Sequence, residues 1–166
     1  RTISESKEII KTACDANVKL MVAENYRFLP TIEKCKELIS QGVIGELRVV
    51  RTEHEGYDAD SVTGWRTELA RSGGGRFIDG GVHNVDIMVT LAGVPESVYA
   101  QVESPKVITD LEGEDGIMVM AKLPNHVTGL IHYSGGTPVN NPYNWVQITG
   151  TTGTLGFDPH GDEITL

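Results

Sequence analysis

The chain has 166 residues, about one domain's worth, and its 39% apolar and 22% charged content is that of an ordinary folded protein, not a disordered one. A formal net charge of −9 speaks against nucleic acid or an anionic membrane as the main partner, because both reward a basic patch. No apolar run approaches the ~18 residues of a membrane span, no signal peptide opens the chain, and Cys14 and Cys35 form neither a metal spacing nor a disulfide framework, which points to a reduced, cytoplasmic setting.

Thr2 and Glu5 form a capping-box pattern at the head of a predicted helix over residues 3–16, with Ile9, Ile10, Ala13 and Ala16 as its apolar side and Asn17 as its stop. Residues 18–23 are a short apolar run with the look of a buried strand. Pro30 suits the first turn of a second helix, over residues 30–41, carrying Ile32, Cys35, Leu38 and Ile39 and closed by Gly42. A strand follows over residues 45–55, then a long polar loop over 57–75.

The stretch 77–91 is the centre of the sequence. Ile78, Val82, Val85, Met88 and Val89 recur at helical steps, and Asp79, His83 and Asp86 fall on a neighbouring stripe. Gly80 and Gly81 together cost a helix interior roughly 1.5–2 kcal/mol relative to alanine, so another backbone or a ligand is expected to come close there. Five strands then follow, over 97–103, 116–123, 127–134, 144–149 and 154–157, with turn residues that fit hairpin links. Helices first and strands later predict an α+β fold, an open, mainly antiparallel sheet with helices on one face. Met118, Met120 and Leu130 fall on the other face, and a sheet-to-sheet homo-oligomer is the natural cover for it.

The Asp79–His83 pair suits general acid–base work on a hydroxyl or carbonyl group, the carboxylate orienting an imidazole that exchanges a proton near neutral pH. The bland alternative is a surface helix pair. A metal set of His54, Asp79, His83 and Asp86 is the weaker reading, since the spacing of strong zinc motifs is missing. Tyr26-Arg27 and Trp65-Arg66 pair an aromatic face with fixed donors, a lining suited to a polyhydroxylated ligand. Gly73–Gly75 and the stretch 150–153 lack the spacing of phosphate loops.

These pieces are Glu24-Asn25-Tyr26-Arg27-Phe28-x-Pro30, Gly42-x-Ile44-Gly45-Glu46-Leu47, Gly64-Trp65-Arg66, the run from Gly73-Gly74-Gly75-Arg76-Phe77-Ile78-Asp79 through Gly81, His83 and Asp86, and Ile148-x-Gly150-x-x-Gly153-x-Leu155. In order and spacing they resemble the Gfo/Idh/MocA family of NAD(P)-dependent sugar and polyol oxidoreductases. The resemblance implies a substrate and oligomerisation domain over residues 24–166, with an open sheet like that of the C-terminal domain of glyceraldehyde-3-phosphate dehydrogenase. Residues 1–23 would be the last helix and strand of a Rossmann domain.

It further implies catalytic roles for Asp79 and His83, with His83 accepting the hydroxyl proton as hydride leaves the substrate carbon, and a sugar or polyol pocket lined by Tyr26, Arg27, Trp65 and Arg66. The cofactor would be NAD or NADP in a full-length parent. The family's Gly-rich dinucleotide loop and Glu-Lys-Pro motif have no counterpart in the sequence, so the chain reads as a fragment that does not bind the cofactor by itself and is inactive alone. The competing expectation is a non-catalytic sugar-binding or oligomerisation module.

Overall fold

A computed structural model describes residues 2–138 and 143–166. Helix α1 spans Ile3–Asp15 and begins as its capping box dictates: the Glu5 N–H donates to Thr2 Oγ1 (3.2 Å) and the Thr2 N–H to the Glu5 carboxylate (2.8 Å). Asn17, at φ 51°, ends it in the left-handed region that asparagine tolerates. None of its residues is buried. Residues 18–23 do not form the buried strand expected of them: they join no ladder among the described residues, and Val18, Leu20, Met21 and Val22 are all exposed. An apolar run becomes a buried strand only where a partner strand and a covering layer meet it, and the sheet described here does not reach it.

Helix α2 (Pro30–Ser40) follows a tight turn over Tyr26–Phe28 and is closed by Gly42 at φ 71°. It buries Ile32 and Cys35 against the sheet; burial pushes the Cys35 thiol up to about 12, so it packs as an inert apolar group. Strand β1 spans Leu47–Glu55. The long loop after it contains single turns at Ala59–Ser61 and Gly64–Arg66 and one short helix, α3 (Leu69–Ser72). The central helix opens with a π-turn over Phe77–Gly81 and continues as α4 (Val82–Ala92), with Gly93 at φ 93° beyond it.

The remaining strands are β2 (Ser97–Val102), β3 (Gly116–Lys122), β4 (Thr128–Ser134), β5 (Tyr143–Gly150) and β6 (Thr154–Phe157). They form one open sheet in the order β2-β3-β4-β1-β5-β6. The pairings β2–β3, β3–β4, β1–β5 and β5–β6 are antiparallel, and β1–β4 is parallel. The last strands are therefore not all hairpin neighbours as the sequence suggests: β1, from early in the chain, is inserted between β4 and β5. Pattern alone does not reveal such an insertion, because β1 has the same half-buried composition as the strands it separates.

Helices α2 and α4 cover one face, where Val50, Ile87, Met88, Leu123, Ile131, Val146, Ile148, Leu155 and Phe157 make the core. Met118, Met120 and Tyr99 stand exposed on the other face. No helix among the described residues is long and apolar enough to cross a membrane.

Gly75, just before the central helix, allows a close backbone approach. A Cβ on Gly75 would overlap the Glu114 carbonyl oxygen, and one on Gly113 would overlap the backbone of Gly75. Gly75→Ala is therefore expected to cost about 1–3 kcal/mol by overpacking. Thermal unfolding of the 166-residue chain should show a midpoint lowered by roughly 2–4 °C for each kcal/mol lost; an unchanged midpoint would contradict the packing described.

Candidate active site

The site grows from the start of the central helix. Glu114 receives its free backbone donors: Gly75 N–H and Phe77 N–H donate to the Glu114 carboxylate (2.9 and 3.1 Å), and Arg76 N–H to its carbonyl (2.8 Å). The next turn is a π-turn, a local widening often found at functional sites. Gly80 and Gly81 lie within it. Side chains explain them, not the backbone or ligand the sequence led one to expect: a Cβ on Gly80 would overlap the Tyr133 hydroxyl, and one on Gly81 the Phe77 ring.

Arg76 is buried, with 9% of its surface exposed. Its guanidinium donates to Asp58 (2.6 Å), to Asp79 and to the Tyr133 hydroxyl (3.2 Å). Asp79 also meets Arg66, whose Nε lies 3.4 Å away. His54 (Nε2 3.9 Å from the carboxylate) and then Arg76 hold Asp58 below the usual carboxylate range against the opposing effect of burial. Burial pushes the Tyr133 phenol up to about 12, with Asp58 and Asp79 adding and Arg76 opposing. Trp65, Arg66, Arg76, Ile78 and Asp79 line a cavity of about 120 Å³, and the Arg66 guanidinium lies 4.9 Å from the centre of the Trp65 ring.

His83 sits one turn further on, in different company. Its Nδ1 lies 2.9 Å from each carboxylate oxygen of Glu24. The Tyr26 ring stacks on the imidazole at 3.9 Å between centroids and 6° between planes. Tyr26 in turn shares a 2.7 Å hydrogen bond with His160 Nε2. Burial first, then the charges of Glu24 and Asp158, raise the Tyr26 phenol above its ordinary value. No hydrogen bond involves His83 Nε2 among the described residues.

The structure thus divides the six residues singled out in the sequence. Asp79, Trp65 and Arg66 share the small cavity; His83 and Tyr26 stack together; Arg27 is tied to Asp86. The expected side-by-side contact of Asp79 with His83 is not made: the carboxylate on His83 is Glu24, and two arginines occupy Asp79. The physical reason is the π-turn, whose extra residue breaks the helical register that a four-residue spacing presumes. His54, Asp79, His83 and Asp86, the weaker metal reading, have separate partners, and no metal-binding group is found among the described residues.

Glu24, Asp58, Arg76, Tyr133 and His160 were not singled out in the sequence. Glu24 stands 59 positions from His83, beyond the reach of any spacing rule. The only signal was its place in the Glu-Asn-Tyr-Arg-Phe stretch.

A model of the GFO/IDH/MocA C-terminal domain matches residues 32–156. The chain belongs to the Gfo/Idh/MocA family. It is 29% identical to the D-apiose dehydrogenase of Rhizobium rhizogenes over 161 residues, covering 93% of this chain and 45% of that protein. Among solved structures, the aldose-aldose oxidoreductase of Caulobacter crescentus complexed with glycerol superposes with a TM-score of 0.81 at 26% identity, covering 95% of this chain and 46% of that one. A levoglucosan dehydrogenase in complex with NADH and levoglucosan gives 0.80 at 27% identity, covering 93% and 44%. The chain spans less than half the length of these Gfo/Idh/MocA relatives.

Neither glycine-rich stretch fits a dinucleotide pyrophosphate, which needs free backbone donors at a helix start. Gly75 is pressed against Glu114, whose carboxylate already takes the helix-start donors, and Gly150 and Gly153 are packed on Ile44.

The site's electrostatics are open to a direct check. The stability contributed by Tyr133 should be fully present below about pH 10 and be lost as pH rises through 12, because the folded protein holds the phenolic proton longer than the unfolded chain. Spectrophotometric titration should show one tyrosine ionising near pH 12 that is missing from Tyr133→Phe. A wild-type curve complete by pH 11 would contradict the burial of that hydroxyl.

Proposed function

We propose that this chain is the substrate-side part of an oxidoreductase that transfers a hydride between nicotinamide and a hydroxyl-bearing carbon of a sugar or polyol. The observation that carries the reading is His83: Nδ1 anchored, one face covered by Tyr26, Nε2 without a hydrogen-bond partner among the described residues. An imidazole held so is a proton acceptor awaiting a hydroxyl.

Residues 24–166 form the substrate and oligomerisation domain, and residues 1–23 the end of a dinucleotide-binding domain. The exposed apolar run at Val18, Leu20, Met21 and Val22 and the wholly unburied α1 support that division, since such surface is ordinarily covered. The nicotinamide, NAD or NADP, supplies the hydride chemistry when held by that other domain; the relative solved with NADH supports NAD. On this chain His83 accepts the hydroxyl proton, and Tyr26 holds the imidazole plane. Trp65 and Arg66 offer the sugar an aromatic face and guanidinium donors at the mouth of the small cavity, Asp79 fixes Arg66, and Arg27 lines the neighbouring hollow beside Glu24.

The exposed sheet face is the homo-oligomer contact in this reading. It is lined by Tyr99, Met118, Met120 and Leu130, with Arg51, Glu53, Glu55 and His132 among them, a mixture of apolar groups and both charge signs that a second copy complements by symmetry.

Two measurements follow. In a full-length enzyme carrying this chain, His83→Ala should lower turnover by at least about 10²-fold while cofactor affinity stays within about twofold; normal turnover would remove His83 from the chemistry. Light scattering on the 166-residue chain should report at least a dimer, and the double substitution Met118→Lys, Met120→Lys a monomer; a wild-type monomer would sink the sheet-face contact.

A further inference from the structure

We infer that Glu24, and not Asp79, is the positioning residue of His83, an inference that rests on the reading of His83 as the proton acceptor. A carboxylate only accepts hydrogen bonds, so Glu24 at 2.9 Å from Nδ1 selects the tautomer with the proton on Nδ1 and the lone pair on Nε2. Asp79 is not available for this role, because Arg66 and Arg76 take its oxygens.

Glu24 is itself held. Its side chain is 11% exposed, and its Oε1 accepts the Tyr26 N–H at 2.9 Å. The same turn thus fixes the carboxylate through its backbone and the imidazole plane through the Tyr26 ring. The other charged and titratable groups of this neighbourhood are Arg27 with Asp86, in the hollow shared with Glu24, and His160 with Asp158, at the far side of Tyr26. Among the described residues none of them bonds His83, so only Glu24 sets its tautomer. Glu24 touches neither substrate nor cofactor in this account. It acts through the ring, raising the fraction of His83 that presents a lone pair to the hydroxyl.

The test has two arms. In the 166-residue chain, the ¹⁵N shifts of neutral His83 should report the Nδ1–H tautomer in wild type and in Asp79→Asn. They should move toward the Nε2–H form in Glu24→Ala. In the full-length enzyme, Glu24→Ala should lower kcat by about 10- to 100-fold with KM within about twofold. Glu24→Gln, whose amide oxygen can still accept from Nδ1, should recover part of the loss.

An unchanged tautomer in Glu24→Ala overturns the inference, whatever happens to kcat. So does a kcat of Glu24→Ala within twofold of wild type while His83→Ala is inactive, an outcome that leaves the reading of His83 intact. Full activity in His83→Ala defeats that reading instead, and the tautomer arm still decides what Glu24 does to the ring.

Discussion

A buried guanidinium shapes everything around it. A guanidinium keeps its charge when buried, so Arg76 without partners would destabilise the fold; the effective penalty for burying an ion is several kcal/mol. Asp58 from the loop after β1, Asp79 from the central helix and the Tyr133 hydroxyl from β4 meet it together. Loop, helix and sheet are therefore tied at one point. Its Nε has no hydrogen-bond partner among the described residues and faces Gly135, where a Cβ would sit 2.9 Å from it. A side chain at 135 would close on the guanidinium, so the chain carries glycine there.

That tie decides the chemistry nearby. Holding Asp79 on Arg76 and Arg66 withdraws its carboxylate from the imidazole one turn away. Gly80, within the widened turn, packs against the Tyr133 hydroxyl, which a Cβ there would overlap. His83 then takes its carboxylate from the segment before α2, where Glu24 and Tyr26 bracket the ring. Two small groups of residues result, one around Asp79, Arg66 and Trp65 and one around His83. Asp79 and His83 themselves stand on successive turns of one helix.

Local signals were legible in the sequence where the physics is local. The capping box at Thr2, the proline start of α2, the glycine stops and the alternation along β3 all depend on residues within a few positions of each other, and the fold has them. The π-turn was hidden because a four-residue spacing presumes an ordinary helix, and the group that packs against it at Gly80 is Tyr133, 53 positions further on (133 − 80). The insertion of β1 between β4 and β5 was hidden for a similar reason: it is a long-range pairing between strands of like composition. Residues 18–23 show the opposite failure, a strand-like run whose partners are not in the sheet described here. Residue type and spacing brought His83 and Tyr26 to attention; only the folded structure shows that Glu24 joins them.

The most direct measurement is a crystal structure of a full-length enzyme carrying this chain, with its nicotinamide cofactor and a polyol bound. A substrate hydroxyl within hydrogen-bond reach of His83 Nε2, about 2.6–3.2 Å, with Glu24 still on Nδ1 and Asp79 still on Arg76, is the predicted result. A polyol bound away from the imidazole, or a ring turned so that Asp79 replaces Glu24 on it, would contradict the account.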